Sequence, residues 1–239
     1  MNDGRWLFTE DSALARADLD KTVRQAGTDV ADATRGPQLP HLSIKLRSVV
    51  CRTVHKMFGG AEVRLDALVV CGKPDGQDAQ SFYMPGTFRF SGVRDDVPLP
   101  IDKDFGLLVF DGTPAYFLDV FLMASRDRSD TDDLASLLGA RLKSPEVQEA
   151  AASLIALAAT VPTAAAIVAA VGAAATLGDV AYQVVKAVSP TTIGMYRGSF
   201  LQFGDGFGIG RHPGQDGTAF DGDLRFWYET VLNEDAGGA

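Results

Sequence analysis

The sequence predicts an α+β, mainly β fold: an antiparallel β-sandwich with an alanine-rich α-helical hairpin inserted before the last strands. Three observations predict it. Short segments between residues 41 and 124 alternate apolar and polar side chains, or run apolar, at the lengths typical of strands. Glycine, proline and aspartate punctuate them at short, regular intervals, the spacing of a sandwich. Residues 150–178 then carry no charged side chain, and 14 of these 29 residues are alanine.

The elements follow in order. Residues 10–34 read as a polar helix capped by Asp11 or Ser12, with Leu14, Leu19, Val23 and Val30 at helical spacing. Arg35-Gly36-Pro37 and Pro40 close a linker, so residues 1–40 form an N-terminal helix and linker. Residues 41–235 form one sandwich domain with a helical insertion at about 144–188, and 236–239 are a loose tail. Within the domain, strands are expected at 41–47, 61–71, 87–93, 105–110 and 116–124. A short helix runs from Asp132 to Leu142. Ser144-Pro145-Glu146 starts another, with a serine cap and proline in the first turn. Pro162 divides this helical stretch, and a second arm runs from 163 to 188. Strand character returns at 199–203 and 223–232, on either side of a glycine-rich loop.

Length decides how the uncharged run is read. A hydrocarbon core of roughly 30 Å needs about 20 helical residues. The uncharged part of the first arm covers roughly 18 Å and that of the second roughly 24 Å, at about 1.5 Å per residue. Neither arm spans comfortably, and alanine offers little apolar surface but allows close helix–helix approach. A packed hairpin is the reading. Ile155, Ile167, Val168 and Val171 are the side chains whose burial tests it, and the ones a membrane or partner would meet if the hairpin were released.

Composition narrows the partners. Hydrophobic residues at 46% and charged residues at 22% are those of a globular domain with a sizeable core. A net charge of -9 excludes nucleic acid as a general partner, because phosphate binding needs clustered Lys and Arg. Two cysteines, Cys51 and Cys71, are too few for a disulfide scaffold or a cysteine-rich zinc site. The first residues lack a basic segment followed by an apolar one, so the expected location is cytoplasmic, with a peripheral membrane contact allowed.

The acidic loop carries the strongest hint of chemistry. Asp127, Asp130, Asp132 and Asp133 lie within seven residues, directly after a strand. Crowded carboxylates need water, an arginine or a cation, and calcium takes several oxygen ligands from flexible loops. Asp75 and Asp78 likewise follow a strand, in LVVCGKPDGQDAQSFY. With the later FLDVFLMASRDRSDTDDLASLLG, this pattern over residues 42–143 resembles a C2 domain, in which a β-sandwich carries aspartates on loops at one end. The helical insertion at 144–188 departs from that family, as does the long gap between Asp78 and Asp127. The resemblance implies calcium as the cofactor and acidic lipid headgroups or a protein as the partner. The calcium ligands would come from Asp75, Asp78, Asp127, Asp130, Asp132 and Asp133.

Signs of catalysis are few. Cys51 and His55 are four apart, a spacing that pairs them only on a helix. The loop from Gly204 to Pro213 alternates glycine and ends in Arg211-His212, which offers an anion-binding pair, yet it lacks a GxGxxG or Walker pattern. No GxSxG or HExxH motif is present. No catalytic residue is assigned. The leading expectation is a non-catalytic C2-like binding module for a membrane surface or a protein, assisted by calcium. The alternatives are a membrane-perturbing effector that uses the hairpin at 145–188, and an enzyme with an anion site at 204–213.

Overall fold

The computed structural model describes residues 39–56, 58–72, 82–128, 131–141, 143–159, 163–189, 191–212 and 219–233. The expected helix at 10–34 and the tail at 236–239 lie outside these residues. Among the described residues nine strands form two antiparallel sheets. Strands β1 (Leu42–Cys51), β4 (Leu107–Gly112), β7 (Gly210–His212), β8 (Ala219–Asp221) and β9 (Leu224–Leu232) make sheet A, in the order β4-β1-β9-β7 with β8 also on β9. Strands β2 (Ala61–Gly72), β3 (Tyr83–Val93), β5 (Ala115–Arg126) and β6 (Thr192–Leu201) make sheet B, in the order β3-β2-β5-β6. Three helices, α1 (Leu134–Gly139), α2 (Pro145–Ala159) and α3 (Ala164–Val188), connect β5 to β6.

The alternation in the sequence becomes two core layers. Leu42, Ile44 and Leu46 of β1 face Val63, Leu65 and Val69 of β2, and Leu118, Val120 and Leu122 of β5, across the sandwich. The other faces of β2 and β5 are covered as well. Leu68, Val70, Phe117, Phe121 and Met123 lie under Leu154, Ile167, Val171, Leu177 and Val185 of α2 and α3. Burial on both faces explains why β2 reads as a nearly continuous apolar run rather than a clean alternation. The described residues therefore form three layers: sheet A, sheet B and the helices.

One glycine sets the spacing of the third layer. A Cβ built on Gly178 of α3 would sit 2.5 Å from Cζ and 2.6 Å from Cδ1 of Phe121. Only hydrogen at that position lets the helix backbone rest on the ring. Gly172, two turns earlier, meets nothing within 4 Å. The Thr163 side chain caps α3 by accepting from the Ala166 N–H at 3.2 Å. At its other end the Ser189 N–H donates to the Val185 carbonyl at 2.7 Å.

Several strand boundaries differ from the sequence reading: β1 runs on to Cys51 rather than ending at 47, and β4 occupies 107–112 rather than 105–110. Pro85-Gly86, read as a turn, lies inside β3. β3 is an edge strand, where a missing N–H leaves no ladder bond unmade. β6 begins at Thr192, seven residues before the expected start at Ser199, because Gly194 and Gly198 replace the inward apolar side chains that would have marked it. Phe203 falls in a short helix, α4 (Gln202–Asp205), rather than in a strand.

Candidate functional site

The acidic loop is built into the sheet by two arginines. Arg64 and Asp66 of β2 point to the helix side and are both fully buried. They form a bidentate pair with both bonds at 2.7 Å. The same guanidinium donates to Thr131 Oγ1 and to the Asp132 carbonyl, each at 3.0 Å. Thr87 Oγ1 donates to Asp66 at 2.6 Å and accepts from the Leu134 N–H at 2.8 Å, which ties the start of α1 to the pair. Arg89 of β3 takes Asp127 and Asp133. Its Nε donates to Asp127 Oδ2 at 3.0 Å, and Nη1 bonds Asp133. Asp133 is the chief cause holding the Arg89 guanidinium above its ordinary pKa.

Asp127 and Asp133 therefore find arginine or hydroxyl partners. Asp127 Oδ1 accepts from Thr131 Oγ1 at 2.7 Å and from the Arg128 N–H at 2.9 Å, so both of its oxygens are engaged. The Asp132 side chain is exposed, and Asp130 lies outside the described residues. Asp75 and Asp78 also lie outside them. The strand ends that lead to the two acidic segments are far apart. Val63 pairs with Arg126 and Gly72 with Ala115, so Gly72 and Asp127 leave opposite ends of sheet B, nine residues or roughly 30 Å apart along β2. The aspartates sought on loops at one end thus follow strand ends at opposite ends of the sheet. Among the described residues no group of three or more His, Cys, Asp or Glu is arranged to hold a metal ion.

Arg211 and His212 do not converge on one anion. They are neighbours on strand β7, so they point to opposite faces of sheet A. Arg211 lies opposite Glu229 in the β7–β9 register on the outer face, and its guanidinium lies 4.2 Å from the Trp227 ring centroid. His212 faces the sandwich core opposite Tyr228. It stacks on that ring at 5.1 Å, meets Phe200 at 4.5 Å with the rings tilted by 51°, and its Nε2 donates to the Gly208 carbonyl. The glycines of this loop serve the backbone: a Cβ on Gly208 would lie 2.5 Å from the Phe200 ring.

Ile167 and Val171 of the hairpin are buried, whereas Ile155 and Val168 are half-buried. Val171 lies over a second charged pair in sheet B. Asp119 is fully buried and receives Arg197 Nη2 at 2.5 Å and the Ser199 hydroxyl. Burial pushes its carboxyl up, against the lowering effect of Arg197 and Ser199. One helix, Ala165–Val188, is long and apolar enough to cross a membrane by length and composition, with half of its most apolar window buried. Cys51 and His55 do not act together. Cys51 ends β1 in the core, with its thiol pushed up to about 11 chiefly by burial, while His55 Nε2 lies 3.2 Å from Asp223. Beneath the helices a cavity of about 10 Å³ is lined by Leu68, Tyr83, Leu138, Val147 and Leu177; at most a single water fits there, and the walls are apolar.

The feature missing from the sequence reading is the outer face of sheet A. Cross-strand register places Leu108, Lys45, Glu229 and Arg211 in one row. Arg47 lies beside it and bonds Glu229 at 2.8 Å, and Trp227 and Arg225 follow on the same face of β9. Four cations thus surround one tryptophan and one glutamate, in a chain of net charge -9. No described helix packs on this face, since α1, α2 and α3 of the β5–β6 connection all lie on sheet B. Its signal was present in the polar positions of the alternating strands, but only pairing shows that β1, β7 and β9 are neighbours. Comparison of the chain with known protein families and with characterised proteins finds no match.

Proposed function

We propose that this chain is a C2-like binding module that docks on acidic membrane surfaces through the outer face of sheet A. The observation that carries this reading is the cluster of half-buried Lys45, Arg47, Arg211 and Arg225 around Trp227 on the outer face of sheet A, on which no described helix packs. A net-acidic chain is repelled by an anionic surface unless its cations are gathered on one side. Each Lys or Arg near an anionic bilayer contributes about 1 kcal/mol. Trp227 adds a ring with an apolar body and a polar N–H, suited to the headgroup region. The two-sheet frame supports the C2 resemblance at the level of architecture. The Arg89 contacts to Asp127 and Asp133 favour a docking mode that does not depend on calcium.

Vesicle co-sedimentation tests the reading. The protein should bind phosphatidylserine-containing vesicles at low salt, ignore pure phosphatidylcholine, and bind equally with calcium or with a chelator. Lys45→Glu combined with Arg211→Glu should weaken binding by at least about 30-fold, from roughly 2 kcal/mol of lost attraction. Equal binding to neutral vesicles, or unchanged binding of the double variant, would overturn it. Binding only with calcium would return the site to the acidic loops.

A further inference from the structure

We propose that Thr113 is a nucleophilic hydroxyl, activated by His41, that accepts an acyl group from an activated ester. The residues meet where β1 begins and β4 and β9 end. His41 Nε2 lies 3.0 Å from Asp111 Oδ1, and His41 Nδ1 lies 3.2 Å from Thr113 Oγ1. Ser43 Oγ and Asn233 Nδ2 each donate to the same Asp111 oxygen at 3.0 Å. The Asn233 backbone N–H donates to the His41 carbonyl at 2.8 Å, which fixes the imidazole's own backbone.

The tautomer follows from these partners. An ionised carboxylate only accepts, so the proton of the neutral imidazole sits on Nε2, facing Asp111. Nδ1 is then a bare lone pair, and the Thr113 hydroxyl is the donor to it. Thr113 thus hands its proton toward a base that a third group orients, which is the arrangement of an activated nucleophile. Ser43 is not equivalent. Its proton goes to the carboxylate, and the residue is 3% exposed. Thr113 is also held: Pro114 follows it in the turn between β4 and β5, and a β-branched side chain has few rotamers. Side-chain exposures of 30% at His41 and 50% at Asp111 leave the site open to solvent.

In the step, Thr113 Oγ1 attacks the ester carbonyl carbon and its proton passes to His41 Nδ1. The bond from that carbon to the leaving oxygen breaks, and the proton transfers from His41 to the departing alkoxide. The products are O-acyl-Thr113 and an alcohol. Asp111 is a positioning residue that holds the imidazole and its tautomer.

The experiment treats the full chain with p-nitrophenyl acetate from pH 5 to 8 and maps acetylation by mass spectrometry. The expected result is acetyl on Thr113, at a rate whose pH profile shows the single base that general-base catalysis requires. Thr113→Val should remove the adduct. His41→Gln should slow it by about 100-fold or more, the loss of a general base. Asp111→Asn, which lets the imidazole turn over, should slow it and flatten its pH profile. Circular dichroism of each variant confirms the fold, and the wild-type map and pH profile need no variant. Acetylation of surface lysines with none at Thr113, or a Thr113 rate that ignores pH and His41, would overturn the proposal. The outcome is independent of vesicle binding, because no residue of this site enters that assay's variants.

Discussion

Two glycines on one helix give opposite predictions for the same substitution. Glycine to alanine inside a helix stabilises it by about 1 kcal/mol, because alanine restricts the unfolded chain. Gly172 of α3 has open space around its would-be Cβ, so Gly172→Ala should raise stability by about that amount. At Gly178 the same methyl would lie 2.5 Å from Phe121 Cζ, at least roughly 1 Å inside normal carbon–carbon contact. The Phe121 ring has little freedom to move, being 5% exposed with the Arg197 guanidinium 5.4 Å from its centroid. Overpacking of this kind costs about 1–3 kcal/mol. The propensity gain is common to both variants and cancels, so the gap between them measures the clash alone. For a chain of this size the two melting temperatures should differ by roughly 2 to 12 °C, with Gly172→Ala the higher. Thermal unfolding followed by circular dichroism reads this directly. Adding Phe121→Leu to Gly178→Ala should recover part of the difference, as coupled neighbours do. If both single variants melt at the same raised temperature, α3 does not rest on Phe121, and the three-layer account fails.

Two further predictions concern buried groups. Asp66→Ala would strand the Arg64 guanidinium in the interior and should cost about 3–5 kcal/mol in urea unfolding, whereas Arg64→Met with Asp66→Leu should cost much less. An Asp66→Ala variant as stable as wild type would mean that the pair is solvated. The Cys51 thiol, pushed up to about 11 from 9.0, should hold roughly 100-fold less thiolate at pH 8 than a free cysteine. Ellman's reagent should therefore reach it only at the rate of unfolding. Because the folded value is raised, its contribution to stability is fully present below pH 9 and lost as pH rises through about 11. Rapid native labelling of Cys51 would refute its placement.

Much of the architecture was legible in the chain. Leu42-Ser43-Ile44-Lys45-Leu46 alternates because one face of β1 meets the core and the other meets solvent. The site was far less legible. Asp127 and Asp133 stood out as a carboxylate cluster, but Arg89, 38 residues before Asp127, neutralises it from a neighbouring strand. Arg211 and His212 looked like a pair because they are adjacent, and a strand sends adjacent side chains to opposite faces. His41 and Asp111 are 70 residues apart, so no local spacing announces their contact.

By itself the sequence determined the two-sheet, mainly β class, the net-acidic surface and the division of the uncharged run at Pro162. These follow from periodicity, composition and backbone restriction, all of which act over a few residues. Tertiary structure decided which faces are covered. The hairpin lies on sheet B because Gly178 allows α3 onto Phe121, and sheet A is left with its cations outward. It also decided that the acidic loop meets arginine, and that Thr113 meets His41. Those contacts depend on strand order and register, which bring residues 38 to 72 positions apart within hydrogen-bonding distance.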